Sequence, residues 1–237
     1  IEKLEINLSW GQMNIVVEPV DQLQILASGD DESLKELRIE VDDKELVIEQ
    51  PQFGMYKNIN ASKWLEVVIR IPKEMHIPIE VQSISGPISA RDISGENIHI
   101  ETVSGKVLLQ NIEGKEIYIR SISGAIRCQK LTGRKLKLRT VSGKSVLEQI
   151  NVQKASYGTV SGDVIMDCSH VFDKMEYNTV SGSLTIYGPM EKISILRRGF
   201  RGNVRTEGVT LVEEENHPTL KINSLTGDVS VISTKKE

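Results

Sequence analysis

The chain has 237 residues, with 29 Lys and Arg against 33 Asp and Glu, so its formal net charge is −4. This balance argues against nucleic acid as a partner, because nucleic-acid-binding proteins present a concentrated basic surface. No run of 18 or more apolar residues occurs, so the sequence predicts no membrane span in this chain.

The first third of the chain contains short strand-like runs with turn signals between them and no regular repeat. The runs are residues 4–8, 13–17, 23–27, 37–41, 45–49 and 65–71. A solenoid needs its first coil covered, because an open core and open strand edges would otherwise face solvent. We therefore interpret residues 1–78 as an N-terminal β cap that continues into the repeats. Residues 32–38 are the only helix candidate, and a hairpin turn is an equally good interpretation of them.

A Ser-Gly pair recurs through the middle of the chain at a nearly constant interval. Its glycines are spaced by 19 residues and then by 20: Gly86, Gly105, Gly124, Gly143 and Gly162, followed by Gly182; Gly202, which follows Arg201, continues the spacing at 20. A short strand pattern stands on each side of every pair. Regular repetition of this kind is typical of a solenoid, in which stacked units bury a core that one unit cannot bury alone.

Each repeat contains two strand patterns in which apolar and polar residues alternate, so each strand has one apolar face. In the first strand, the predicted inward columns begin at Ile88 and Ala90. In the second strand they begin at Ile98 and Ile100, and all four columns recur every 19 residues. A second glycine, such as Gly114, separates the two strands in three of the repeats.

The corners of the repeat carry small and hydroxyl-bearing residues. We expect the Ser-Gly corners to need a positive φ, which glycine reaches without steric strain. The serine can hydrogen-bond the backbone inside the corner. A further hydroxyl column is predicted to line the corner from within: Ser83, Thr102, Ser121, Thr140 and Thr159. The serines are interpreted as structural, because a catalytic serine is unique and needs a base.

The pattern predicts an all-β fold, a single-chain parallel β-helix with coils of 19–20 residues. Residues 79–237 form the repeats, with irregular register over 188–219 and one more template coil at 220–231. Cys128 and Cys168 occupy different repeat positions about two coils apart. At roughly 4.8 Å per coil they are too distant for a disulfide, so we expect two free thiols.

The register break contains the candidate binding surface of this sequence. Five residues there, which we call the arginine cluster, combine positive charge with one aromatic ring: Arg197, Arg198, Phe200, Arg201 and Arg205. Irregular segments of a rigid scaffold are where binding residues concentrate. We expect this cluster to hold an anionic partner.

A second basic feature lies on the outer side of the middle repeats. It comprises Lys115, Arg134, Lys135, Lys137 and Arg139, with Glu116 among them. These residues could meet anionic lipid headgroups or teichoic-type polymers. We favour the other interpretation, that the charges keep a long sheet soluble and deter edge pairing. Glu101 and Arg120 are predicted to pair across adjacent coils.

The sequence predicts no catalytic, cofactor or metal site. The four histidines, His76, His99, His170 and His217, lack metal-ligand spacing, and no C-x-x-C motif occurs. Two enzyme classes remain as alternatives. A carbohydrate-active enzyme of the polysaccharide lyase or hydrolase type needs clustered carboxylates, for which Glu148, Asp163 and Asp167 are the nearest approach. A hexapeptide acyltransferase has a six-residue sub-period, which this sequence does not show.

A strand ending in Ile69-Arg70-Ile71-Pro72 precedes an apolar strand and then repeated Thr/Ser-Val/Ile-Ser-Gly units. Over nearly the whole chain this arrangement resembles the bacterial β-strand-repeat family known as putative adhesins, a family of unknown function. The resemblance implies a parallel β-helical fold and a place at the bacterial cell envelope. It further implies association with membrane proteins of envelope-stress systems, and it supplies no catalytic motif.

We therefore expect a non-enzymatic interaction module at the cell envelope or extracellular surface, with the cytoplasmic face of the membrane as the alternative. The expected partner is an envelope protein, a polysaccharide or an anionic membrane surface, without a cofactor. The sequence begins at Ile1 without Met or an apolar leader. We expect a targeting or anchoring segment to precede it in the intact gene product.

Overall fold

The computed structural model describes residues 1–18, 20–50, 63–213 and 216–235. Within these ranges the chain folds almost entirely into strands, with one short helix, so the all-β prediction is confirmed. Residues 51–62 of the predicted N-terminal cap lie outside the described residues, as do Glu214 and Glu215 of the irregular stretch.

The elements follow one another along the chain in three groups. The N-terminal elements are β1 (Lys3–Leu8), β2 (Gln12–Glu18), β3 (Gln24–Gly29), α1 (Asp31–Glu36), β4 (Arg38–Asp42), β5 (Glu45–Glu49) and β6 (Leu65–Pro72). The central strands are β7 (Ile79–Ser83), β8 (Ile88–Arg91), β9 (Ser94–Thr102), β10 (Val107–Ser121), β11 (Ile126–Arg139) and β12 (Ser145–Gly158). The C-terminal strands are β13 (Val164–Cys168), β14 (Lys174–Thr179), β15 (Leu184–Gly188), β16 (Lys192–Arg198), β17 (Val204–Glu207), β18 (Thr210–Leu211), β19 (Thr219–Ser224) and β20 (Val229–Ser233).

The helix α1 occupies the predicted candidate segment, which is therefore a helix rather than a hairpin turn. Asp30 caps its N-terminus, accepting bonds from the Ser33 hydroxyl at 2.7 Å and the Ser33 backbone N at 3.0 Å. The same carboxylate accepts a bond from the backbone N of Trp64 at 2.8 Å. These bonds, led by that of the Ser33 hydroxyl, lower the pKa of Asp30 to about 2. Asp30 thus joins the helix to the start of β6.

Neighbouring repeats pair in parallel with a register of 19 residues. Val107 of β10 pairs with Ile126 of β11, which pairs in turn with Ser145 of β12. The same register continues at the far end of these strands, where Ile119 pairs with Leu138. Each repeat therefore lies directly on the next, and we call one repeat of paired strand segments a layer.

The predicted inward columns form the core of the stack. Their members are buried in every layer from Ile88 to Leu184, and Ser145 is the polar exception in the first column. The Tyr157 side chain of the second strand reaches this position. Its Oη lies 3.3 Å from Ser145 Oγ and 3.2 Å from Thr140 Oγ1. A small residue in one column thus accompanies a large ring in another, which conserves core volume.

One buried column is missing from the sequence prediction: Ile93, Ile112, Leu131 and Ile150. Each of these residues follows one whose φ lies between 53° and 59°, namely Asp92, Asn111, Lys130 and Gln149. A residue in the left-handed region interrupts the alternation of a strand as a β-bulge does. The side chain after the bend therefore turns into the core, one position later than simple alternation predicts.

The repeated glycines do not have the positive φ that the sequence analysis predicts, so that expectation is wrong. These corners need glycine for another reason. Positive φ among the described glycines is confined to Gly11, Gly199, Gly208 and Gly227. Close stacking requires glycine instead. A Cβ on Gly105 would lie 2.0 Å from the carbonyl oxygen of Gly86, and one on Gly124 would lie 1.9 Å from that of Gly105.

The predicted hydroxyl column is buried inside the corner, as expected: Ser83, Thr102, Ser121, Thr140 and Thr159. Ser121 Oγ, for example, donates to the carbonyl oxygen of Gly124 at 2.9 Å. The serine of each Ser-Gly pair has a different role. Ser104 Oγ donates to the carbonyl oxygen of Ile84 at 3.0 Å, which joins one layer to the previous one.

The order of layers in the stack differs from their order in the chain at both ends. β1 lies between β5 and β7, and β2 lies between β6 and β8. Likewise, β19 lies between β14 and β16, and β20 lies between β15 and β17. β3 and β4 pair antiparallel with β6 and β5. The last layer at the C-terminal end is therefore formed by β16 and β17.

Candidate surface site

The arginine cluster lies where the last layer turns from β16 into β17. Arg197 and Arg198 end β16, Gly199 follows with a φ of 63°, and Arg205 lies in β17. All four arginines of the cluster are exposed. The Phe200 ring is half-buried and packs against the core. The five predicted residues are thus brought to one end of the stack.

This end of the stack is a sheet edge. β16 pairs with β19 on one side, and β17 pairs with β20. On the other side, within the described residues, only Lys192 and Ile193 of β16 have a strand partner, which is β18. Charged side chains on such an edge discourage pairing with another chain. This protective role accounts for some positive charge here, whatever else the cluster binds.

The arginines of the cluster differ from most other arginines in their surroundings. Six arginines elsewhere lie within 4.0 Å of a carboxylate: Arg38, Arg70, Arg91, Arg120, Arg127 and Arg134. In the described part of the chain, none of the four cluster arginines has a hydrogen-bond or ion-pair partner. The cluster is therefore a concentration of positive charge without a close ion-pair partner, although Arg205 interacts electrostatically with Asp228.

Asp228 is an acidic residue whose pKa is affected by the charge of the cluster. Its Oδ1 accepts bonds from the backbone N of Asn203 at 3.0 Å and from Asn203 Nδ2 at 3.1 Å. These bonds, with a smaller contribution from the charge of Arg205, lower the pKa of Asp228. Arg205 is exposed and forms no direct hydrogen bond with this carboxylate. Next to Arg197 and Arg198, a shallow depression of about 270 Å³ is also lined by Glu176 and Lys221.

The basic side of the middle repeats is compensated in part. Glu116 lies 3.4 Å from Arg134 and 3.6 Å from Lys135. Arg120 lies 3.7 Å from Glu101, which confirms the predicted pair between adjacent layers. Exposed pairs of this kind contribute about 0–1 kcal/mol to stability. Lys115, Lys137 and Arg139 have no ion pair among the described residues, so this side keeps an excess of positive charge similar to that of the arginine cluster.

Of the three carboxylates nearest to an enzymatic set, Glu148 and Asp163 are engaged in structural contacts, and Asp167 is half-buried in β13. Both oxygens of Glu148 accept bonds from Arg127 at 3.1 Å. Asp163 Oδ1 accepts a bond from the backbone N of Ser183 at 2.9 Å. No group of three or more His, Cys, Asp or Glu placed to hold a metal ion occurs among the described residues.

The two cysteines are buried and free, as the sequence predicts. Burial raises the pKa of both the Cys128 and the Cys168 thiol to about 12. The thiolate is the reactive form of cysteine, so neither residue is a nucleophile at neutral pH.

An exposed apolar surface, which the sequence analysis does not identify, runs along the Ser-Gly corner. It is formed by the residue two positions before each repeated glycine, and we call it the apolar ridge: Ile84, Val103, Ile122, Val141, Val160, Val180, Leu225 and Phe200, in stack order. The six members from Val103 to Leu225 are between 38% and 58% exposed. Gly227 lies against Gly182, and Gly202 against Gly227, so the ridge continues through the last two layers. Its signal in the sequence is an apolar residue recurring at a position that points outward.

No helix in the described ranges is long and apolar enough to cross a membrane. The family model of Toastrack DUF4097 matches residues 1–232 of the chain. The chain therefore belongs to the Toastrack family. Among proteins of curated function, none matches its sequence.

Solved structures with the same fold come from Bacteroides fragilis and Parabacteroides distasonis. A "putative adhesin" from Bacteroides fragilis has a TM-score of 0.62 at 15% identity, over 97% of this chain and 91% of that chain. A "putative lipid binding protein" from Parabacteroides distasonis has a TM-score of 0.62 at 16% identity, over 99% and 92%. A "putative adhesin" from the same species reaches 0.50 at 15% identity, over 97% and 92%. At these identities the likeness shows a shared fold.

Proposed function

We propose that this Toastrack chain is a single-chain parallel β-helix that serves as a non-enzymatic binding module of the bacterial cell envelope or extracellular surface. Its partner is a polyanionic surface, and the arginine cluster is the contact. The stacked layers form a rigid scaffold of 19–20-residue coils, and the cluster occupies the end of that scaffold. Envelope-stress systems are the setting that the family resemblance implies.

The observation that carries this proposal is the unpaired charge of Arg197, Arg198, Arg201 and Arg205. Guanidinium groups match phosphate, sulfate and carboxylate oxygens with two parallel hydrogen bonds, and they stay charged at any physiological pH. Several such groups at one end of a rigid protein favour multivalent contact with a repeating anion. The names of the related structures, two adhesins and a lipid binding protein, are consistent with a surface partner.

The non-enzymatic character is supported by the state of the candidate catalytic groups. The serines of the Ser-Gly pairs recur from layer to layer, and most of them donate to carbonyl oxygens of the previous layer, as Ser104 does. Glu148 and Asp163 are held by Arg127 and by the Ser183 amide. A general acid or nucleophile needs a free carboxyl near its substrate. The β-helical carbohydrate-active enzyme remains the alternative that the assay below must exclude.

Co-sedimentation with purified cell wall and with vesicles of anionic lipid, at rising salt, tests the proposal. Binding should weaken steeply with salt, because exposed charges are screened beyond about 10 Å at 0.1 M. Reversing the four cluster arginines to Glu should abolish binding. A matched control reverses four exposed lysines in separate layers, Lys115, Lys130, Lys154 and Lys174, with the same change in net charge. Equal loss in both variants, or measurable polysaccharide cleavage, would contradict the proposed function.

A further inference from the structure

The apolar ridge is a row of aliphatic side chains that neighbouring layers repeat at a fixed spacing. Layers in a parallel stack are about 4.8 Å apart, so the eight members from Ile84 to Phe200 span about 34 Å. A soluble protein scatters exposed apolar side chains singly, and a continuous row of them marks an interaction surface. The row ends at Phe200, which belongs to the arginine cluster.

The ridge side chains are not what holds the corner together. The carbonyl oxygens of ridge residues accept bonds from the next layer, as Ile84 does from the Ser104 backbone N at 2.8 Å. The glycine allows this close approach, and the buried hydroxyls bind the turn from inside. In the layer of β1, Ser9 occupies the position equivalent to Ile84, since Leu8 pairs with Ser83. The corner therefore accepts a polar residue where the ridge has an apolar one.

Basic residues flank the ridge along its middle. Arg120 and Arg139 stand two residues before Ile122 and Val141, and Lys144 stands three residues after Val141. All three side chains are exposed. Lys106 occupies the position of Lys144 in an earlier layer and is also exposed.

Acidic residues at the position of Lys144 in later layers are already engaged. They are Asp163 and Asp228, whose carboxylates accept bonds from the backbone amides of Ser183 and Asn203. Both carboxylates keep their negative charge, and Glu101 pairs with Arg120, so the four Lys and Arg of the border exceed its three carboxylates by one. The arginine cluster adds four more positive charges at the end, beside Phe200.

We propose that the apolar ridge lies lengthwise in the interfacial region of an anionic lipid bilayer, with its flanking Lys and Arg and the arginine cluster on the phosphate headgroups. This inference rests on the proposed function and names the lipid surface as the polyanion. Aliphatic side chains bordered by Lys and Arg are the arrangement that peripheral proteins use at such an interface. A second copy of the chain is the disfavoured occupant, because facing ridges would bring the basic borders together.

A single reporter on the ridge tests insertion directly. Val141→Cys is labelled with a polarity-sensitive fluorophore, and Thr132→Cys, an exposed position nine residues away in the coil, serves as the control. The native thiols stay unlabelled under native conditions, since both are buried and protonated. With vesicles containing phosphatidylglycerol, the ridge label should shift to the blue and the control label should not. Equal spectra at both positions would overturn the inference.

A substitution that keeps shape and removes apolar character separates the ridge from the arginine cluster. The variant Ile122→Thr, Val141→Thr and Val160→Thr retains β-branched side chains in three layers. It should weaken phosphatidylglycerol-vesicle binding by about 50-fold or more, since it removes at least one methyl-sized group from the inserted apolar surface in each of three layers. Its binding to dextran sulfate, a lipid-free polyanion, should equal that of the parent chain. Unchanged melting and circular dichroism establish that the variant is folded.

The outcomes for the ridge and for the proposed function are distinguishable. Loss of vesicle binding with retained dextran sulfate binding supports the ridge inference. Vesicle binding that survives the threonine variant, yet is lost on reversal of the arginines, overturns the ridge and leaves the proposed function standing. If the parent chain binds dextran sulfate and not vesicles, the inference that the polyanionic partner is a lipid bilayer is overturned. A dimer that sedimentation shows to dissociate in the threonine variant would assign the ridge to self-association and would also overturn the inference.

Discussion

The repeated glycine is the position at which neighbouring layers of this molecule come closest together. A Cβ on Gly124 would lie 1.9 Å from the carbonyl oxygen of Gly105, and one on Gly143 would lie 2.3 Å from that of Gly124. Both contacts are with backbone, which cannot rotate away as a side chain can. A Cβ on Gly158 would meet only Arg139 Cγ at 3.7 Å, which is ordinary van der Waals contact. The same substitution should therefore have different effects at the two kinds of glycine.

We predict that Gly124→Ala destabilises the protein by about 1–3 kcal/mol, because one methyl group forces two layers apart. Gly158→Ala is the control. It should change stability by less than about 1 kcal/mol, since Ala fits there and restricts the unfolded chain. Urea denaturation of both variants, with m-values compared, gives the two free energies. Coinciding midpoints would mean that the layers relax freely around position 124.

At the scale of the element, each layer bends at one residue in the left-handed conformation. Asp92 and Asn111 are residue types that enter this region readily, whereas Lys130 and Gln149 are not. Asn111 Nδ2 also donates to Asp92 Oδ1 at 2.6 Å, which joins the first two bends. The later bends thus retain backbone strain that the earlier ones relieve.

Replacing Lys130 at this bend should raise or lower the stability of the protein, depending on how well the new residue tolerates a positive φ. Lys130→Asn should stabilise the protein by a few tenths to about 1 kcal/mol, since Asn tolerates φ near 57°. Lys130→Val should destabilise it, because a β-branched side chain is a poor fit at positive φ. Thermal melts of the two variants measure the difference. If both changes moved the melting temperature alike, loss of the lysine charge rather than φ would be the cause.

The same bend shows how far the sequence alone could predict the elements. The inward columns that begin at Ile88 and Ile98 were predictable, because period-2 alternation and the 19-residue repeat agree on them. The column of Ile112 was not, because the bend at Asn111 shifts the alternation by one residue, and Lys130 and Gln149 at the equivalent positions do not mark a bend. In the sequence analysis, the corner glycines were attributed to a positive φ. Close contact between layers selects glycine equally well, so the sequence alone could not separate the two causes.

The site was predictable to a similar degree. The arginine cluster stands out in the sequence because it replaces the repeat pattern, and the structure places its five residues in one layer. The apolar ridge was overlooked because Val and Ile at a corner are also good strand residues, so their exposure could not be inferred from residue type. The continuation from Leu225 to Phe200 depends on the stacking order of the last layers, which the chain order does not give.

At the scale of the whole molecule, both chain ends are inserted one layer inside the stack. β1 and β2 lie between layers built from later residues. At the other end, β19 separates β14 from β16, and β20 separates β15 from β17. The layers present similar columns to one another, so the repeat pattern alone does not specify their order. The order is therefore decided by the connections, which a repeat pattern does not encode. A terminal segment placed in this way is held on two sides, unlike the last repeat of a linear solenoid.

Removing the final strand pair tests this order. A chain ending at residue 218 lacks β19 and β20, which are the strand partners of β17 and of most of β16. We predict that residues 192–207 lose hydrogen-exchange protection in this chain, because their backbone groups have no neighbouring layer to bind. The central strands β10 to β12 should stay protected, since their partners remain. A chain ending at residue 233 is the control and should match the parent. Retained protection of 192–207 in the shorter chain would mean that this segment stacks directly on β14 and β15.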